Sequence, residues 1–296
     1  MAGPPMAVVN ACTRDGEGGS PTAVVIDDAT LTDDDRHAIA RRTGTSHTAF
    51  IDTGTADAPT VRFFTSAGEL TNCGHGIIAA QAVLLHRSGA TEHHGSLRTA
   101  GRTFATTAIR RHNGIEVWFD QGVIALADHA DATAGGIIAA LDLQRADIAA
   151  DVRVASPGTP RLLVPVRDHL TLLSMQPDFD RLATECRRFG YLGCFAYVLA
   201  PTARTAAARM FAPAIGVNED IANANSVGCL AAHLLDTSGS GEIEVQQGDT
   251  LRRPSSILAS ATRTGSGIVA SIGAVVDVGP PIDLRAPAPS GHLPWR

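Results

Sequence analysis

Polar and apolar positions follow two periods along this chain. "TAVVIDD" (22–28) and "GIEVWFD" (114–120) are short runs rich in β-branched and aromatic residues, and each predicts a strand. "TDDDRHAIARRTG" (32–44) predicts a helix with both ends marked. Thr32 can cap it, Asp33 to Asp35 favour its positive end, and Gly44 can stop it. "DFDRLATECRRFG" (178–190) repeats that grammar in the second half. "TNCGHGIIAAQAVLL" (71–85) is different: polar residues and two glycines around a histidine lead into an unbroken apolar run. A helix needs neither Gly74 nor Gly76 at its start, so something there gains from bare backbone.

The pattern then recurs about half a chain later. "VRFFTSAGELTNCGHGIIAAQAVLL" (61–85) and "ARMFAPAIGVNEDIANANSVGCLAAHLL" (208–235) each open on Arg, an apolar residue and Phe. Each passes a glycine-containing loop and small polar residues, then enters an apolar helix ending in Leu-Leu. The offset is 147 positions at Phe64 and Phe211, and 150 at Leu84 and Leu234. A duplicated strand–loop–helix unit and two similar α/β lobes are expected, at 1–125 and 126–280. The alanine-rich stretch Asp128 to Ala150 is expected to carry the passage between them, with a proline-rich, loose tail at 281–296.

Composition narrows the function classes. The 296 residues are 44% hydrophobic, enough for a real core, and carry a net charge of −6 with no basic block. That argues against nucleic acid or an anionic membrane surface as partner. No apolar run approaches the ~20 residues of a membrane span, and "MAGPPMAVVN" lacks the charged start of a secretory leader, so a cytoplasmic protein is expected. Cys12, Cys73, Cys186, Cys194 and Cys229 are scattered without zinc-type spacing, so no metal site is expected; the neighbours His93 and His94 are discounted as ligands. All 24 basic residues are arginine. With no lysine there is neither a Schiff-base residue nor a Walker phosphate loop.

Two motifs carry candidate chemistry. In Asn72-Cys73-Gly74-His75-Gly76, unsatisfied N–H groups of a first helical turn can bind a carboxylate, with glycines allowing close approach. His75 would lie against the bound molecule with an ordinary pKa near ~6.5, suited to proton transfer. A plain helix start with a packed histidine explains the spacing equally well. In "NEDIANANSVGCLAAHLL" (218–235) another helix begins after small polar residues; Asn223, Asn225 and Ser226 are cap types, and Asp220 precedes them. Two helix starts facing one cleft would hold an anion and stabilise charge developing on it. Two ordinary capped helices are the alternative. "GSGIVA" (265–270) imitates a dinucleotide fingerprint but leads into a β-rich run, "SGSGE" (238–242) reads as a turn, and Asp33 to Asp35 as a solvated helix start.

With both motifs in view, the chain resembles the phenazine-biosynthesis (PhzF-type) isomerases, relatives of diaminopimelate epimerase and proline racemase. The likeness rests on "GGSPTAVVIDD", "TSHTAF", "RFFTSAGELTNCGHG", "RMFAPAIGVNED" and "VQQGDTLRRPSSIL", in that order. It implies two pseudosymmetric α/β lobes, each a curved sheet around a central helix, with the active site between them. It also implies cofactor-free proton transfer on a small-molecule carboxylate, and a homodimer.

The departures matter as much. Where the family has the glutamate of Ser-Glu-Thr-Ala-Phe, its principal acid/base, this chain has His47. The family's Thr-Gly-Ser-Ala becomes Asn223-Ala224-Asn225-Ser226, while Asp220 is retained. Cys73 occupies the first place of the racemases' two cysteines, but Cys229 lies inside the second helix, which argues against two-cysteine racemisation. The expected activity is an isomerase that moves a proton and a double bond in a small unsaturated amino or carboxylic acid. His75 and His47 would exchange the proton, with Asp220 orienting substrate or a histidine. Cys73, Gly74, Gly76, Asn223, Asn225 and Ser226 would bind the substrate. The His47 variation resembles the isomerases of 4-alkylproline pathways in antibiotic biosynthesis. An epimerase or dehydratase acting next to a carboxylate is the alternative enzyme, and a small-molecule binding protein the non-catalytic one.

Overall fold

The computed structural model describes residues 5–27, 31–54, 58–66, 68–130, 134–201 and 204–283. The chain divides into two units, one made of Met1–Asp120 with Gly273–Arg296 and the other of Gln121–Ile272.

In the first unit, Pro5–Ala11 pairs antiparallel with Ser20–Asp27, which runs parallel to His47–Asp52. A parallel pair needs a crossover. Helix α1 (Asp33–Thr43) supplies it with the ends its sequence marks: Thr32 and Asp35 form a reciprocal capping box, and Gly44 stops it in the left-handed conformation. His47–Asp52 pairs antiparallel with Thr60–Phe64, which in turn runs parallel to Glu92–Arg98. The crossover of this second parallel pair is α2 (Gly74–Ser88). Nearly every residue from Gly74 to Leu85 is buried. A helix apolar on all faces has no solvent side, so the sheet wraps it.

The second unit repeats this order. Arg161–Pro165 runs parallel to Cys194–Leu199. Helix α3 (Gly135–Ala140) precedes that pair; α4 (His169–Ser174) and α5 (Phe179–Phe189) lie in its crossover. Asp178 caps α5 by accepting from the Arg181 amide, and Gly190 ends it in the left-handed conformation. Thr205–Ala212 runs parallel to Glu242–Gln247 across α6 (Ala224–Ser238). Like α2, α6 has 15 residues and is buried along most of its length.

The duplicated Arg-x-Phe signature has the same job in each unit. Arg62 lies 5.2 Å from the ring centre of Phe64 and pairs with Glu69; Arg209 lies 4.8 Å from that of Phe211 and pairs with Glu219. Each arginine thereby ties its strand to the segment leading into the central helix.

Two boundaries differ from the expectation. The stretch Asp128 to Ala150 is no passage between units. Ile137, Ile138 and Leu141 pack with Leu182, Cys186 and Phe211 in the core of the second unit, and the low contrast of an alanine-rich pattern hides that face. The chain changes unit at Asp120–Gln121, within the strand Gly114–Val123, and returns at Gly273 within Gly267–Asp283. Residues 273–280 therefore belong to the first unit, where Val276, Asp277 and Val278 pair with Ala11, Asn10 and Val9. Of the expected tail, residues 281–283 end that strand, and 284–296 lie outside the described residues.

Candidate active site

His47 opens its strand in register with Thr22, and Cys73 occupies the cap position of α2, with His75 the second helical residue. Strand and helix bring the two imidazoles together: His47 Nδ1 and His75 Nε2 are 2.6 Å apart, and the rings meet edge to face with centres separated by 4.2 Å. One N–H fills this bond, and either ring can carry it. His75 is almost fully buried and His47 half-buried. Burial, reinforced by the neighbouring His75, holds His47 well below the usual histidine pKa, because a charged ring would lose its hydration there.

The direction has a consequence for stability. A histidine whose folded pKa lies below its unfolded value binds fewer protons folded than unfolded. Its contribution is complete above about pH 6.5 and is lost as the pH falls toward the folded value. Thermal melts between pH 7.5 and 5 are expected to show stability declining by up to about 1.4 kcal/mol per pH unit from this group, and His47→Gln to flatten that decline.

Helix α2 begins without a side-chain cap. Cys73 makes no capping hydrogen bond, unlike Thr32 at α1. The Ile77 amide reaches the Cys73 carbonyl, whereas the Gly74 and Gly76 amides have no acceptor among the described residues. The sequence motif expects donors of this kind to bind a carboxylate. Gly76 has a second reason to be bare: a Cβ there would stand 2.7 Å from Cδ1 of Phe63 and 3.1 Å from Cys73 Sγ. Packing on Phe63 therefore requires this glycine whether or not a ligand is bound.

His47, Cys73 and His75 also offer metal-binding atoms, all within 4.8 Å of one another. Two imidazoles and a thiol suit zinc, but tetrahedral coordination sets nitrogens about 3.3 Å apart. At 2.6 Å the two rings are hydrogen-bonded rather than spread around an ion.

The second motif folds into a hydrogen-bonded cluster in the second unit. Asn223 caps α6: its Oδ1 accepts from the Ser226 amide at 3.0 Å and the Ser226 hydroxyl at 2.7 Å, and its Nδ2 donates to Asp220 Oδ2 at 2.9 Å. Asp220 is thus engaged with Asn223, and Ser226 is fully buried. Asn225 accepts through both its carbonyls from Gln121 Nε2. The Ala224 and Asn225 amides, like those of Gly74 and Gly76, have no acceptor among the described residues. Cys229 is sealed in the helix, and burial pushes its thiol up to about 11, too high for a thiolate base at neutral pH.

Two residues of this cluster escape the sequence reading. Gln121 lies outside both motifs, in the strand Gly114–Val123. Arg161 opens the apolar strand Arg161–Pro165, and its guanidinium donates to Ser226 Oγ at 3.2 Å, Asn223 Oδ1 at 3.4 Å and the Thr159 carbonyl at 3.0 Å. An arginine at the head of "RLLVPV" is the one signal available for it.

The family described as phenazine biosynthesis-like protein (PhzC-PhzF) matches residues 9–272. An uncharacterized isomerase, YddE of Escherichia coli K12, is 30% identical over 234 residues, 77% of each chain. The trans-2,3-dihydro-3-hydroxyanthranilate isomerase of Pseudomonas aeruginosa is 27% identical over 281 residues, 89% of this chain and 92% of the relative. Among solved structures, the PhzF-family phenazine biosynthesis protein of Bacillus anthracis superposes with a TM-score of 0.84 at 18% identity, covering 94% of this chain and 98% of its own, a likeness of fold. No helix among the described residues is long and apolar enough to cross a membrane.

Proposed function

The chain belongs to the phenazine biosynthesis-like (PhzF-type) family of isomerases, and from that premise we propose that it shifts a proton, and with it a double bond, in a small conjugated carboxylic or amino acid, without a cofactor. The observation that supports this reading is the 2.6 Å contact between His47 and His75 at the uncapped start of α2.

The chemistry follows from what these groups can hold. The substrate carboxylate docks on the Gly74 and Gly76 amides, where the positive end of α2 favours negative charge. Neutral His75, bonded to His47, takes a proton from the carbon whose anion is conjugated with the carboxylate. Charge then spreads along the double bonds and into the carboxylate, toward the helix end, the kind of electrostatic stabilisation that contributes most in water-poor sites. The imidazolium so formed returns the proton at the far end of the conjugated system. One pair of rings on one face suffices for this. Asp220 is proposed as a further polar group of the reaction, and a homodimer as the assembly.

Incubation in deuterium oxide with a panel of unsaturated and cyclic amino acids, followed by proton NMR, tests this reading. A diene carried on a pyrroline carboxylate, as in 4-alkylproline biosynthesis for antibiotics, heads the panel. Deuterium entering a product with a displaced double bond is the expected result. Washout at a single carbon with the double bond unmoved would show an epimerase instead.

A further inference from the structure

Sequence spacing gives no reason to expect a metal site, yet the fold of the first unit assembles three metal-ligating side chains. One ring nitrogen each of His47 and His75 and the Cys73 sulfur lie within 4.8 Å of one another. Residues two apart inside a helix turn away from each other, but Cys73 is extended at the cap, with φ −149° and ψ 104°. Gly76 leaves room for the sulfur, since a Cβ there would stand 3.1 Å from it. His47 arrives from the start of the strand His47–Asp52.

The distances describe two exclusive occupants. A tetrahedral zinc ion sets two nitrogens about 3.3 Å apart, and nitrogen and sulfur about 3.6 Å apart. His47 Nδ1 and His75 Nε2 stand at 2.6 Å, the length of their hydrogen bond, and an opening of about 0.7 Å by small ring rotations would admit the ion. The shared hydrogen and a metal ion therefore compete for the same two nitrogens. Two imidazoles and a thiolate suit zinc, whereas magnesium and calcium take oxygen ligands. Half-buried His47 gives the ion a way in.

We propose that His47, Cys73 and His75 form an inhibitory zinc site, in which the ion displaces the hydrogen that the two imidazoles share. That hydrogen is exchanged through solvent to the other nitrogen of its ring, and the Cys73 thiol gives its proton to water, so one proton is released per ion bound. The positive end of α2 opposes a cation and the thiolate charge offsets it. The dissociation constant is therefore expected near ~1 μM, weaker than at a structural zinc site. Inhibition rests on the proposed roles of His47 and His75 as proton carriers; the binding does not.

Cobalt(II), a coloured stand-in for zinc, tests the site on metal-free protein. The expected spectrum combines strong visible absorption of a four-coordinate ion with a near-ultraviolet thiolate charge-transfer band, both removed by zinc. Cys73→Ser keeps the size and suits a helix cap; it is expected to abolish the charge-transfer band and weaken zinc binding at least about 30-fold. His47→Gln is expected to weaken it at least about 10-fold. In nitrogen-15 NMR, one equivalent of zinc is expected to erase the coupling between His47 Nδ1 and His75 Nε2, which magnesium leaves intact. Double-bond migration is expected to stop with the same equivalent and to return on adding EDTA.

The site is overturned by the absence of a charge-transfer band at millimolar cobalt, or by a band that Cys73→Ser keeps. A coupling that is missing before zinc is added, or that survives saturating zinc, overturns the displacement. Turnover that requires zinc, or that a filled site leaves unchanged, overturns the inhibition. If the site fails while EDTA-treated protein moves double bonds, the isomerase reading stands. If the cobalt and NMR results are as expected and no substrate turns over, the site stands without that reading.

Discussion

His75→Asn is expected to slow double-bond migration by about 10²–10⁴-fold, the usual contribution of a positioned acid/base group. Asparagine still offers a hydrogen-bonding nitrogen near His47, but it cannot accept a proton and hand it on. His75 is nearly fully buried, so the substitution also tests whether the ring is mere packing: a packed histidine would give a loss of stability with turnover per folded molecule preserved. His47→Gln is expected to fall in the same range, because it removes the partner that shares the bond proton at 2.6 Å. His47→Glu, which restores the residue type of the resembled family, is expected to retain more activity than His47→Gln. Steady-state rates followed by NMR, normalised to folded protein, check all three.

Glu219→Ala is expected to be the most damaging single change to the fold of the second unit, at about 3–5 kcal/mol. Glu219 holds Arg209 through both carboxylate oxygens at 2.9 and 2.8 Å, and both side chains are about nine-tenths buried. Without it, Arg209 keeps the Leu172 and Met175 carbonyls and the Phe211 ring but has no carboxylate partner among the described residues, and becomes a buried charge without a counter-ion. The strand Val217–Asp220 that Glu219 anchors also carries Asp220, so activity is expected to fall with stability. Its counterpart gives the control. Glu69→Ala breaks the matching pair with Arg62, but Glu69 is exposed and Arg62 also reaches Asp33, so the expected loss is within about 1 kcal/mol. Urea melts of the two variants side by side read the difference. Burial, not the motif, decides which copy matters.

Much of this was legible because local chemistry determines it. The capping box of Thr32 and Asp35, the Asp178 cap and the terminal glycines Gly44 and Gly190 all act within a few residues of themselves. The duplicated Arg-x-Phe also shows in the sequence, since each arginine faces an aromatic two positions on along its strand. Long-range features were not legible. The separation of 28 positions from His47 to His75 says nothing about ring distance, which the strand and helix set together. Gly76 reads as room for a ligand, yet the Phe63 ring alone demands it. The exchange of units at Asp120 and Gly273 falls within continuous strands, where composition does not change. Arg161 is a charge in an apolar run, and only the fold shows that no carboxylate waits for it among the described residues.

The claim on which the rest depends is that His47 and His75 form a neutral, proton-sharing pair. Nitrogen-15 NMR of histidine-labelled protein, titrated from pH 8 to 4.5, measures it without a substrate. The structure predicts scalar coupling between His47 Nδ1 and His75 Nε2 across their hydrogen bond, and a His47 ring that stays neutral well below pH 6.5. Two rings that titrate independently near pH 6.5 with no coupling between them would contradict it.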